Sequence, residues 1–117
     1  MVTRAAPPGA TGAEFAAKRW GGPTRTTTTI VTVGTAVATL LAENPRRVAW
    51  LVQNRGGTDV ATSDTRDVAA ATGFLLQATG GAQSMNVEED GEGVCYALYA
   101  ISTIAGQTVR VQQTERI

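Results

Sequence analysis

The feature that most constrains the fold of this chain is its series of short alternating runs separated by turn residues. Residues 47–53 alternate along a strand, with Val48, Trp50 and Val52 on one face. Similar runs recur from Thr28 onward, and Gly, Asn or Pro interrupts them about every 8–12 residues. We therefore predict an all-β body over residues 28–117. Its form is a compact antiparallel β-sandwich or barrel of about seven or eight short strands.

The second half of this body is predicted to contain its longest strand. Residues 94–104 are apolar on both faces, which is typical of a central strand or of one that touches a neighbouring subunit. This assignment places Tyr96 and Tyr99, like Trp50, in core strands. A short strand is predicted at residues 74–76, another at 84–88, and a loop at 64–72.

The first 27 residues are predicted to form an extended N-terminal arm. Pro7 and Pro8 interrupt any helix, and residues 21–23 (Gly-Gly-Pro) break the chain again. Between these breaks, residues 12–20 can form a short helix, with Thr11 as its N-cap and Glu14 at capping-box spacing. A helix this short is marginal in water unless it packs on something.

The arm also carries the candidate partner-binding residues. Four basic residues and one acidic residue give it a net charge of about +3, against about −3 for the body. Large aromatic side chains beside cations on such a segment are typical of anchors that enter a partner's pockets. The alternative is that the arm folds back onto its own body. The predicted partner-binding residues are Phe15, Lys18, Arg19, Trp20 and Arg25.

Composition argues against catalysis, metals, nucleic acid and membranes. The chain has no His and a single Cys, so the commonest general base and Cys-rich zinc sites are missing. Its formal net charge is zero, whereas nucleic-acid binding needs clustered positive charge. No apolar run approaches the roughly 20 residues of a membrane helix. We interpret the carboxylates of residues 88–92 as a solvated turn and Cys95 as a buried, inert thiol. No catalytic, cofactor-binding or metal-binding residue is predicted, and the chain is not expected to be an enzyme.

Residues 40–54, LLAENPRRVAWLVQN, contain a strand that ends in Asn-Pro and two Arg, followed by an apolar strand that closes on Gln-Asn. This pattern resembles that of small virion structural proteins of tailed bacteriophages, most closely head decoration (cement) proteins. The similarity continues through Thr58-Asp59-Val60, Gly73-Phe74-Leu75-Leu76, Gly80-Gly81, the run 96–102 and the last strand at 108–111. The Ala-rich loop and the acidic turn depart from it, and the arm is unmatched.

The resemblance implies a virion protein at the capsid surface that binds and stabilises assembled major capsid subunits. It also implies a homotrimer or other homo-oligomer and no cofactor. A tail, baseplate or head–tail connector component is the alternative within the structural class. A carbohydrate- or host-surface-binding module is the third hypothesis, and it would require exposed aromatic residues on the body.

Overall fold

The computed structural model describes residues 23–117, and these form a sandwich of two four-stranded antiparallel sheets. The first sheet has the order β1-β8-β3-β6 and the second the order β2-β7-β4-β5. The strands are β1 (Thr24–Val33), β2 (Ala38–Leu41), β3 (Arg47–Asn54), β4 (Val60–Ser63), β5 (Phe74–Leu76), β6 (Ala82–Asn86), β7 (Leu98–Ser102) and β8 (Gln107–Arg116). Helix α1 (Val87–Asp90) and a 3₁₀ helix (Gly91–Cys95) connect β6 to β7. The predicted all-β antiparallel sandwich is confirmed.

The two sheets differ mainly in strand length, and each contains one register shift, that of the first lying between Arg47 and Ala49 in the β3–β8 pair. In the first sheet, β1 and β8 pair without a register shift from Thr24 opposite Arg116 to Val33 opposite Gln107. The second sheet is built from strands of three to five residues, and its β2–β7 pair contains an irregularity near Leu41. The first sheet therefore extends beyond the second at the end where β1 begins.

The core lies between the sheets and follows the alternation in the sequence. Val48, Trp50 and Val52 of β3 are all buried, as the pattern predicted. Trp50 and Val52 pack with inward side chains of the second sheet such as Val60, Leu76 and Ala100. Burial of this apolar surface is the main favourable term in folding.

Strand β1 begins earlier than the predicted start of the body at residue 28. Thr24 to Thr27 pair with Arg116 to Gln113, so backbone pairing extends the strand into the predicted arm. The rest of that arm, including the predicted helix at 12–20, lies outside the described residues, as do Phe15, Lys18, Arg19 and Trp20.

The predicted strand over residues 94–104 is wrong at both ends. Only Leu98–Ser102 is a strand, and Val94 and Cys95 belong to the 3₁₀ helix. Val94 is completely buried there, so its apolar character reflects core packing by a helix rather than membership of a strand. Asn86 caps α1, because its side-chain Oδ1 accepts a hydrogen bond from the Glu89 amide at 3.0 Å.

No helix within residues 23–117 is long and apolar enough to cross a membrane.

Candidate partner-binding surfaces

Arg25 is the one predicted partner-binding residue that the structure describes. It lies in β1 opposite Glu115 of β8, and its guanidinium donates to Glu115 Oε1 at 2.7 Å. The second oxygen of Glu115 accepts from Asn44 Nδ2, also at 2.7 Å. These hydrogen bonds, that of Arg25 first, lower the pKa of Glu115. Arg25 thus has a partner inside its own subunit, and its contact with another protein stays a prediction.

A cavity of about 200 Å³ opens between the two sheets at the β6 side of the sandwich. Trp50 points inward from β3, and Met85 lies directly opposite it on β6. Leu98 closes the cavity from β7 in the other sheet. Tyr96, Asp64 and Gln83 also line this space, which we name the Trp50–Tyr96 pocket. Its walls are mainly apolar and aromatic, with Ser63, Asp64 and Gln83 among the polar residues that line it.

The mouth of the Trp50–Tyr96 pocket is negatively charged. The Tyr96 hydroxyl hydrogen-bonds to Glu92, and this bond, with the charges of Glu92 and Asp64, raises the pKa of Tyr96. Helix α1, which contains Glu88, Glu89 and Asp90, lies in the chain between Met85 and Gly93, and both of these line the pocket.

The sequence reasoning missed this pocket because it placed Tyr96 in a core strand. Tyr96 follows the 3₁₀ helix and is 45% exposed. The exposed ring also removes the argument that the body offers no aromatic surface to a carbohydrate. The sequence carries a signal for the helix but not for the pocket, since Asn86 with Glu89 three residues later has the spacing of a helix N-terminus.

A second surface is the exposed apolar edge of the second sheet. Phe74 and Leu75 of β5 are 55% and 48% exposed, although they sit in a strand of only three residues. On the outer face, Leu75 lies opposite Ala61, and Ala61 lies opposite Ile101 of β7. Val37 and Ile104 are also exposed. We call Phe74 and Leu75 the β5 edge.

The predicted loop at 64–72 packs over the middle of this outer face. Val68 is buried, and a Cβ added to Gly73 would come within 2.9 Å of both Ala61 and Val68. Only glycine allows this close approach. The Arg66 guanidinium lies 5.3 Å from the centre of the Tyr99 ring, within cation–π range. The loop covers Ala61 and leaves the β5 edge open.

A third surface is a broad, open depression of about 440 Å³ on the side of the first sheet. Arg55 and Arg110 line it together with Gln53 and Thr79. Thr79 has a positive φ of 56°, which is uncommon for a residue other than glycine. This depression is polar and basic, in contrast to the Trp50–Tyr96 pocket.

The candidates for metal binding and catalysis in the described part of the chain are the carboxylates of residues 88–92 and the thiol of Cys95. Across residues 23–117, no three His, Cys, Asp or Glu side chains are grouped so that they could hold a metal ion. The thiol of Cys95 is half-buried in the 3₁₀ helix, not fully buried in a strand as expected, and contacts the backbone carbonyls of Pro45 and Arg47. The assignment as a non-enzyme stays a prediction.

Comparisons with known proteins include one distant solved structure. No protein-family model matches this chain, and no curated protein matches it. Among solved structures, a chain from Bacillus endospore appendages, described as a novel family of disulfide-linked pili, is 14% identical. The match covers 80% of this chain and 87% of that chain, with a TM-score of 0.45.

Proposed function

We propose that this chain is a structural protein that attaches to a larger protein assembly, and specifically a head decoration protein that binds the major capsid subunits of a tailed phage. The observation that carries the proposal is the β5 edge. Apolar side chains cost free energy when exposed to water, and this edge strand exposes one on each face of the sheet, Phe74 on one and Leu75 on the other. The resemblance of residues 40–117 to virion β-domains supports the identity of the assembly.

The β5 edge also has the backbone geometry of a contact site. Within residues 23–117, β5 is the last strand of its sheet, pairs with β4 alone and leaves its other side open. An open edge offers unpaired backbone groups to a partner, and exposed Phe74 and Leu75 add apolar area to that contact. The second sheet would therefore face the capsid, and repeated copies would multiply a weak single contact.

The test is re-decoration of purified phage heads that lack this protein, with occupancy measured by cryo-electron microscopy. The double substitution Phe74→Ser with Leu75→Ser should lower occupancy at least about tenfold at limiting protein, since two interface anchors are lost. The matched control is Ile30→Ser, because Ile30 is an exposed apolar residue on the first sheet at 57% exposure. It should bind normally.

Normal occupancy by the Phe74/Leu75 variant would contradict attachment through the β5 edge. Failure of the unaltered chain to bind heads would contradict the decoration role itself. A ring with a fixed copy number at a tail, baseplate or head–tail connector, instead of an icosahedral array on the head, would establish the alternative.

A further inference from the structure

The Trp50–Tyr96 pocket is suited to one aromatic side chain. Its apolar walls come from Trp50 and Met85 of the first sheet and Leu98 of the second, with Tyr96 at the mouth. An apolar cavity of about 150 Å³ is large enough to bind benzene, so about 200 Å³ accommodates an aromatic ring. An indole or phenyl group would bury its apolar surface there.

The acidic groups near the pocket favour an aromatic side chain that has cationic residues beside it. Asp64 lines the pocket, is exposed, and lies near Tyr96, whose hydroxyl binds Glu92. With α1 adjacent, an aromatic residue flanked by cations would meet opposite charge on entry. Complementary charge of this kind guides association and fixes orientation.

The chain itself contains such a segment, Lys18-Arg19-Trp20. The sequence has six aromatic residues, two each of Trp, Tyr and Phe. Trp50 and Tyr96 form the pocket, Tyr99 stacks with Arg66, and Phe74 belongs to the β5 edge. Phe15 and Trp20 remain, and only Trp20 directly follows two basic residues.

The position of β1 favours a pocket on a second copy over the pocket of the same copy. The Pro23 carbonyl accepts from the Ile117 amide at 3.0 Å, which fixes the start of β1 at the end of β8. Three residues from Pro23 to Trp20 span at most about 11 Å. Met85 lies on β6, three strand positions away from β1, or about 14 Å across the sheet alone.

The direct path across the same subunit is also occupied. Beneath β8 and β3 at this end, Asn44 binds Glu115 and Arg47 binds Gln113. The uncovered inner side of β1 offers only Thr27 and Thr29 between Arg25 and Val31, so it has no apolar surface for an indole. A second copy needs no such crossing, because its pocket can approach the start of β1 from outside the subunit, within the distance of about 11 Å that three residues span.

We propose that Trp20 of one copy inserts into the Trp50–Tyr96 pocket of a second copy, with Lys18 and Arg19 against Asp64 and Glu92. The predicted arm thus links copies of this chain to one another. This contact needs no capsid, so it can fail or succeed independently of the decoration role.

The test is the association of the purified full chain, measured by sedimentation velocity over a range of concentrations. The unaltered chain should form oligomers, and Trp20→Ala and Asp64→Lys should each weaken association at least about tenfold. Asp67→Lys is the matched control, because it makes the same charge change on the adjacent loop outside the pocket. It should associate like the unaltered chain.

Mixing two variants tests whether the arm of one copy binds the pocket of another. Trp20→Ala retains the pocket and Asp64→Lys retains the arm, so their mixture should form a complex that neither variant forms alone. Combining Lys18→Glu and Arg19→Glu with Asp64→Lys should restore association to within about threefold of the unaltered chain.

Three results would overturn the proposal. The first is a full chain that stays monomeric at all concentrations, and the second is oligomers that are unaffected by Trp20→Ala. The third is two variants that do not complement each other, which would place the arm in its own pocket or on another surface. Capsid occupancy plays no part in any of these measurements.

Discussion

The two sheets of this sandwich are held together by different means. The first sheet relies on long, regular backbone pairing, above all the uninterrupted pairing of β1 with β8. The second sheet has short strands, and side-chain hydrogen bonds connect it, or the chain that follows its strand β2, to the first sheet at three places. A short strand offers few ladder bonds, so side-chain hydrogen bonds from a more regular neighbour stabilise it.

Strand β3 supplies two of these connections, one from each of its ends. Arg47 is 2% exposed and donates to the carbonyls of Ala42, Val94 and Tyr96 in the segments that lead into β3 and β7. Asn54 donates to the carbonyls of Thr58 and Leu76 next to β4 and β5. We therefore expect replacement of the buried polar residues at the two ends of β3 to lower the stability of the fold more than substitutions on the outer faces of the sheets.

The largest effect should come from Arg47→Met. The substitution keeps an apolar stem but leaves three carbonyls and the Gln113 side chain without their donor. Because unsatisfied buried groups cost about 1–3 kcal/mol each and the core relaxes in part, we expect a loss of about 3–4 kcal/mol in the free energy of unfolding. Urea denaturation monitored by tryptophan fluorescence measures it.

Arg46→Met is the matched control, since Arg46 is the exposed neighbour. It should change stability by less than about 0.5 kcal/mol. A loss below about 1 kcal/mol for Arg47→Met would show that the second sheet does not depend on this connection.

The next effect should come from Asn54→Ala at the other end of β3. Asn54 is fully buried, donates twice through Nδ2 and accepts from the Gly56 amide at 2.9 Å. Its removal leaves three backbone groups without their hydrogen-bond partner, and we expect a loss of about 2–3 kcal/mol in the free energy of unfolding. Gln53→Ala is the control, because Gln53 is only half-buried on the opposite face. Equal losses for the two variants would contradict the role assigned to Asn54.

How far the sequence predicts this molecule also differs between the sheets. The first sheet contains strands long enough for alternation to be visible, and the inward residues Val48, Trp50 and Val52 were identified from it. Arg47 was placed on the other face, with Ala49, yet it is buried, because a register shift lies between Arg47 and Ala49. Alternation cannot reveal such an irregularity.

Near the second sheet, the apolar character of residue 94 led to the wrong prediction that a strand begins there. Val94 is apolar because the core requires it, and a 3₁₀ helix delivers it there. The Trp50–Tyr96 pocket could not be predicted, since it joins β3, β6 and β7 with the chain that follows β4. Its existence depends on strand order and register, which no local pattern determines.

A smaller effect should follow from Thr62→Val, which tests the third connection. The Thr62 hydroxyl on β4 donates to Gln83 Oε1 on β6 at 2.8 Å and so joins the two sheets. Valine has nearly the same shape, so the loss should be about 1–2 kcal/mol, the cost of one unsatisfied, partly buried acceptor. Thr39→Val, at an exposed position of β2, is the control and should be near neutral. A Thr62→Val variant that is more stable than the unaltered chain would show that the Thr62–Gln83 hydrogen bond does not stabilise the second sheet.

The smallest effect we predict is a change in the pH dependence of stability, caused by the side-chain hydrogen bonds of Glu115 in the first sheet. The pKa of Glu115 is lowered in the folded chain by Arg25 and Asn44. A lowered pKa stabilises the fold above the ordinary carboxyl pKa, and this contribution is lost as pH falls through the folded value. Thermal unfolding should therefore show a slightly smaller loss of stability from pH 7 to pH 3 for Glu115→Gln than for the unaltered chain.

Glu43→Gln removes another exposed carboxylate and serves as the control for this pH dependence. It should reproduce the acid sensitivity of the unaltered chain, because Glu43 forms no ion pair with Arg25. The ion pair of Arg25 with Glu115 is solvent-exposed, and such pairs contribute little. If Glu115→Gln instead abolished most of the acid sensitivity, the first sheet would also depend on side-chain connections, and the contrast between the sheets would be one of degree.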